Sequence, residues 1–322
     1  MKKTRLIALV LCVVMLLTSL TGCGTKTVMK INGIAVPEGV YTYYYASLYV
    51  TGMSYGYETS KIAEMAVAQT MQHVAIKELA KELKLEMTAM ENKSVIDSRN
   101  AYIEQQGKSE FNRMLQAMNM TKKQYEDMDN TNYMYSKIAD YYFGENGVDI
   151  PSEEELINDY KENYIRATHI LLSTQKTESD EDRAAVKKTA EEVLAKAKAG
   201  ENFYDLIREY GEDPGVAETP EEGYYFTTGQ MVTEFETAAF ALAENEISDL
   251  VETQYGYHII LRLPMDDAYV SSTVLSDTYY YNYCSAKLAD MLNARIASYE
   301  VEFTKDFSKI DATEAILYNM GY

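Results

Sequence analysis

The side chains best able to exchange a proton near neutral pH are three histidines, His73, His169 and His258, and each sits in a different kind of segment. His169 lies in the β-rich run Arg166 to Leu172. Strand alternation puts it on one face with Ala167 and Leu171, pointing inward or into a cleft. His258 belongs to Tyr257 to Leu263, a nearly all-apolar run that reads as a central strand. Each of these two is either a satisfied core histidine or a functional one, and the residues alone leave both readings open. His73 sits in a helical stretch beside Gln69, Thr70 and Lys77, which predicts a solvated side chain with no chemistry. The cysteines are Cys12, Cys23 and Cys284, and the first two fall in or just behind a leader. Cys284 alone remains, so an internal disulfide is excluded. With no CxxC or HExxH spacing, neither a metal site nor a cofactor is expected.

Residues 1–22 carry Lys2, Lys3 and Arg5, then the apolar run Leu6 to Leu17, the layout of a secretory signal peptide. That run is short of the ~20 residues a bilayer span requires. Leu20-Thr21-Gly22-Cys23 resembles the lipobox of bacterial lipoproteins, and the resemblance implies lipidation at Cys23 and an anchor at the extracytoplasmic face of the cell membrane. An ordinary cleaved signal with a chance cysteine is the weaker alternative. The chain has 30 basic and 50 acidic residues, a net charge of −20, and loss of the leader leaves 27 basic residues and a net charge of −23. Nucleic acid is therefore not a partner, since phosphate backbones repel such a chain and no basic stripe offsets the repulsion. The same acidity either steers basic segments of unfolded polypeptides toward the surface or simply maintains solubility.

The elements follow from hydropathy and turn chemistry. Val28 to Ile31 and Ile34 to Val36 flank Asn32-Gly33, a hairpin signal. Pro37-Glu38 opens a helix rich in tyrosine (Tyr41, Tyr43, Tyr44, Tyr45, Tyr49, then Tyr55 and Tyr57), read first as inter-helix packing and second as a contact surface for varied partners. A helix over 60–86 has Ala68, Met71, Ala75 and Leu79 as its apolar stripe, and further helices cover 90–106, 109–118 and 122–143. Pro151-Ser152-Glu153-Glu154-Glu155 caps a helix running to about Tyr164. The next hundred residues read strand, helix, helix, short helix, strand. Helix resumes over 276–299, and the alternating Tyr299 to Phe303 forms a strand that needs a partner, which the N-terminal hairpin can supply.

Four blocks between residues 166 and 260 resemble the parvulin-type (PpiC, rotamase) peptidyl-prolyl isomerases. Arg166 to Leu172 looks like their first strand, and Phe203 to Asp213 like their second helix and following loop. Gly229 to Phe235 with Ala238 to Leu242 resembles the third helix, and Glu246 to Ser248 with Val251 to Ile260 the last two strands. The resemblance implies an α+β fold: a parvulin domain with a four-stranded antiparallel sheet and surrounding helices, inserted in a mainly helical chaperone-like domain made of N- and C-terminal segments. It also implies that His169, His258, Asp213 and Thr253 form the polar, catalytic wall, and that Met231, Phe235 and Phe226 receive the proline ring. One stretch departs from the family. Where parvulins have Gly-Gly-Asp-Leu-Gly, this chain reads Glu218 to Tyr225, which leaves the pocket's usual leucine without a counterpart.

The expected organisation is a signal peptide at 1–22, a helical module at 23–164, the parvulin domain at 165–265, and a C-terminal segment at 266–322 packing with the helical module. As a whole it resembles the PrsA foldase lipoproteins and, more distantly, the SurA chaperones. That resemblance implies an isomerase and foldase acting on unfolded or partly folded exported polypeptides that contain X–Pro bonds, with the membrane contacted through the anchor and a homodimer left open. The alternative is a non-catalytic holdase lipoprotein whose parvulin domain is structural or only docks peptide.

Overall fold

The computed structural model describes residues 26–321, so the signal expected at 1–22 and the lipidation expected at Cys23 lie outside the described residues. In chain order the first elements are β1 (Thr27–Ile31), β2 (Ile34–Pro37), α1 (Glu38–Ser54), α2 (Thr59–Glu82), α3 (Ala89–Gln106), α4 (Lys108–Ala117) and α5 (Lys122–Phe143). They are followed by α6 (Glu153–Asn163), β3 (Tyr164–Ser173), α7 (Asp180–Lys198), α8 (Phe203–Tyr210), α9 (Pro214–Ala217), β4 (Tyr224–Thr227) and α10 (Thr233–Ala241). The chain ends with β5 (Val251–Thr253), β6 (Gly256–Leu263), α11 (Asp267–Val274), α12 (Asp277–Ile296), β7 (Val301–Phe303) and α13 (Thr313–Asn319). Two compact units result, one from the residues up to and including Ile150 together with Cys284–Tyr322, the other from Pro151–Tyr283.

In the first unit Asn32 and Gly33 both adopt positive φ, 49° and 79°, the conformation a two-residue hairpin turn demands. β7 pairs antiparallel with β1, giving a three-stranded sheet ordered β2-β1-β7. N- and C-terminal segments thus share one core, built on Val28, Met29, Ile31, Val40, Met114 and Met118, with Val301 and Phe303 packed against it. Capping boxes at Thr88 and Thr121 start α3 and α5, and a third at Ser152 starts α6 in the second unit.

Two expectations about α2 are corrected. The helix stops at Glu82, four residues early, and Lys84 turns the chain away with φ 54°. Its buried face runs through Ile62, Ala66, Thr70, His73, Val74 and Leu79, whereas Ala68 is exposed. Thr70 hides its hydroxyl by donating to the Ala66 carbonyl at 2.7 Å, so a polar residue fits the buried stripe. His73 is therefore buried, not solvated. Its Nδ1 lies 3.4 Å from the Tyr44 hydroxyl and its Nε2 3.9 Å from Asp127, and burial pushes its pKa down to about 4. The tyrosines divide: Tyr41, Tyr43, Tyr44 and Tyr45 pack on the core, while Tyr55 and Tyr57 are exposed.

The second unit is an antiparallel four-stranded sheet ordered β4-β3-β6-β5. In the β3–β6 register, His169 faces Ile260 and Leu171 faces His258. Odd-numbered β3 residues therefore share a face with His258 and Ile260. The opposite face, with Ile170, Leu172, Tyr257 and Ile259, packs on Ala190, Val193 and Ala197 of α7 and on Leu206 and Ile207 of α8. This leaves the histidine face to be covered by α10, through Phe235 and Ala239.

Candidate active site

His169 and His258 stand on adjacent strands with ring centroids 5.2 Å apart. Phe235 meets both edge-on, at 5.1 and 5.4 Å. The two histidines are only 4% and 5% exposed, yet both line an open cavity of about 540 Å³. Leu171, Met231, Val232 and Phe235 give it an apolar side, and Asp213, Tyr224, Gln230 and the histidines a polar one.

Asp213 caps α9, accepting from the Gly215 N–H at 2.8 Å. One of its carboxylate oxygens lies 3.1 Å from His169 Nε2 and accepts from the Tyr224 hydroxyl at 3.2 Å. The His169 ring, with the Gly215 N–H and the Tyr224 hydroxyl, holds the Asp213 carboxyl down to about 2 against burial. Burial and the Asp213 charge push the Tyr224 phenol up to about 12, so it remains a donor at every working pH. Behind His258, the Thr253 hydroxyl sits 2.9 Å from Nε2 and accepts from the Tyr255 N–H. The Nδ1 atoms of both histidines are buried without a protein hydrogen-bond partner, whereas His169 Nε2 has the Asp213 carboxylate beside it.

Burial first, and the His169 ring second, push the pKa of His258 down from 6.5 to about 4. The unfolded chain protonates this side chain below its ordinary pKa while the folded site resists, so stability is lost as pH falls through that window. Between pH 7 and about 4.5 this residue is expected to cost about 2 kcal/mol. Urea unfolding of wild type and His258→Asn at the two pH values measures the difference, and a variant that loses as much as the wild type would overturn it. His73, depressed in the same direction, leaves a residual loss in both proteins.

The structure brings His169, His258, Asp213 and Thr253 into one wall and places Met231 and Phe235 on the cavity. Phe226, expected beside the proline ring, is displaced from that place: it is 1% exposed, does not line the cavity and packs behind Phe235 with ring centroids 5.9 Å apart. Its position on β4 turns it into the core beneath the floor, so it supports the pocket without facing it. Tyr224 was not foreseen. It stands in the stretch that departs from the parvulin pattern, and Arg166 ties that stretch to the sheet by donating to the carbonyls of Glu221, Glu222 and Pro264. Among the described residues no group of three potential ligands could hold a metal ion.

Comparison with known proteins places these features. Residues 156–262 match the PPIC-type PPIase domain, and residues 2–139 match the SurA-like N-terminal domain. The chain is 44% identical over 115 residues to the foldase protein PrsA of Geobacillus kaustophilus, covering 35% of this chain and 37% of that protein. Against PrsA of Bacillus subtilis it is 47% identical over 96 residues, 30% and 29% of the two chains. The matched regions thus span only 29% to 37% of these relatives' length. Among solved structures, PrsA from Bacillus cereus aligns over 86% of both chains at 19% identity with a TM-score of 0.36. The parvulin of Nitrosopumilus maritimus aligns with 32% of this chain and 97% of its own at 37% identity with a TM-score of 0.25. The chain carries a PPIC-type PPIase domain, similar in sequence to that of the PrsA foldases, together with a SurA-like N-terminal domain.

Proposed function

We propose that the protein is a peptidyl-prolyl cis/trans isomerase that assists the folding of exported polypeptides, held at the outer face of the cell membrane by lipid on Cys23. The observation that carries the reading is the pair of buried histidines, 5.2 Å apart, on the wall of an open cavity whose other side is Met231, Val232 and Phe235. A proline ring is apolar and its nitrogen carries no hydrogen, so it suits that side.

The chemistry needs no covalent step. Rotation about X–Pro meets a barrier of ~18–20 kcal/mol because the amide is conjugated, and uncatalysed exchange takes tens to hundreds of seconds. A site that holds the twisted amide about 5–6 kcal/mol better than either planar form accelerates exchange roughly 10⁴-fold. Twisting leaves the nitrogen more basic and the carbonyl less conjugated. The His169 and His258 rings and the Tyr224 hydroxyl, all on the cavity wall, are the polar groups available to follow that change. Asp213 orients two of them, and Thr253 fixes the His258 ring from behind.

Two-dimensional NMR exchange on an Ala–Pro peptide tests the reading. Catalytic amounts of the protein are expected to produce cis/trans cross-peaks within a mixing time too short for the free peptide. Their absence would end the isomerase reading, and suppression of client aggregation by the same inactive protein would leave a holdase.

A further inference from the structure

Charge around the cavity is one-sided. Its lining includes Glu212 and Asp213 and neither lysine nor arginine. Asp213 is engaged by His169, Gly215 and Tyr224, but Glu212 is not committed in this way. Its backbone N–H donates to the Leu171 carbonyl at 2.9 Å, which fixes it beside the strand bearing His169. Its side chain is exposed at the rim and only accepts, at 3.4 Å, from the Ser173 N–H. Among the described residues no basic side chain pairs with it.

The surroundings have the same sign. Next to the rim, Thr174 to Asp182 contains Lys176 against Glu178, Asp180, Glu181 and Asp182. The unit Pro151–Tyr283 as a whole carries ten basic and 28 acidic residues. A cleft lined by one sign of charge focuses the field and raises the local concentration of the opposite charge. Deeper in, His169 and His258 line the same cavity, each with a buried Nδ1 that has no protein partner, so the acidic rim and the histidine pair border one site. The proline ring is uncharged, which leaves discrimination by charge to its neighbours. The preceding residue lies only ~3.3–3.6 Å further along an extended chain, within reach of the rim.

We infer that the site selects X–Pro bonds in which X is lysine or arginine and disfavours those in which X is acidic or phosphorylated, with Glu212 as the specificity-determining residue. This rests on the isomerase reading above. Lysine's flexible stem and arginine's planar guanidinium both reach an exposed carboxylate, whereas a glutamate or phosphoserine before proline would meet Glu212 and Asp213 with like charge.

The test is exchange catalysis by the full chain on four otherwise identical peptides with alanine, lysine, glutamate or phosphoserine before proline. At low ionic strength, kcat/KM for Lys–Pro is expected to exceed that for Ala–Pro about fivefold and to fall by a similar factor for Glu–Pro, with the spread collapsing near 0.5 M salt. Glu212→Gln should level the Lys–Pro advantage and Glu212→Lys should invert the ranking. Catalysis of Ala–Pro with equal rates for Lys–Pro and Glu–Pro overturns the preference while leaving the isomerase intact. A lysine preference that survives in Glu212→Gln overturns the role of Glu212. Absence of exchange with all four peptides removes both this inference and the reading beneath it.

Discussion

Replacing Asp213 with alanine is expected to lower kcat/KM for an Ala–Pro peptide about a hundredfold, equivalent to about 2.7 kcal/mol of transition-state stabilisation. The carboxylate serves three groups at once: the His169 ring at 3.1 Å, the Gly215 N–H at 2.8 Å and the Tyr224 hydroxyl at 3.2 Å. Removing it leaves a buried imidazole and a phenol without the acceptor that aims them. Asparagine keeps an oxygen for Gly215 but not the charge, so Asp213→Asn should retain more activity, with a loss of about tenfold. Because the carboxyl titrates near 2, activity should not decline through its protonation anywhere between pH 4 and 8. Near-ultraviolet circular dichroism beside the kinetics separates a misaimed site from a misfolded one. A folded alanine variant within threefold of wild type would remove Asp213 from the machinery.

Gly256→Ala should destabilise the second unit by about 3 kcal/mol or more, the largest stability effect expected of so small a change. Gly256 begins β6 opposite Ser173 with φ 143°. A Cβ there would stand 2.2 Å from the Leu172 carbonyl oxygen and 2.9 Å from the Ser173 Cα. The strand would have to leave its partner two residues before His258. Gly229 is the control, since it has φ 83° and nothing within 4 Å of an added Cβ. Its alanine variant carries backbone strain alone, about 1 kcal/mol. Urea denaturation of the two variants compares them, and equal midpoints would show that the β3–β6 contact yields easily.

The sequence and the structure agree best where a residue's role is set by its neighbours in the chain. Turn chemistry at Asn32-Gly33, the capped start at Ser152 and the alternation around His169 are local, and the elements they mark are present. Motif order was enough to name His169, His258, Asp213 and Thr253 together. Residues whose surroundings come from distant segments were misjudged or missed. His73 reads as solvated beside Gln69 and Lys77, yet Tyr44 of α1 and Asp127 of α5 meet it. Phe226 reads as a pocket residue by its place in the motif, but the depth of a side chain depends on which face of β4 meets α10. Tyr224 carried no signal, because it occupies a stretch without a family counterpart and acts through a hydrogen bond to a residue eleven positions away.

The pairing of β1 with β7 has a temporal consequence. Thr304 donates its hydroxyl to the Thr27 carbonyl, 277 positions earlier in the chain. A polypeptide synthesised amino end first therefore releases all of Pro151–Tyr283 before the strand that closes the first sheet arrives. That second unit can collapse on its own contacts while the first still waits for Val301 to Phe303, because closing so long a loop is entropically slow. In this order of events the unit that carries the histidine pair can be complete before the first unit has its third strand.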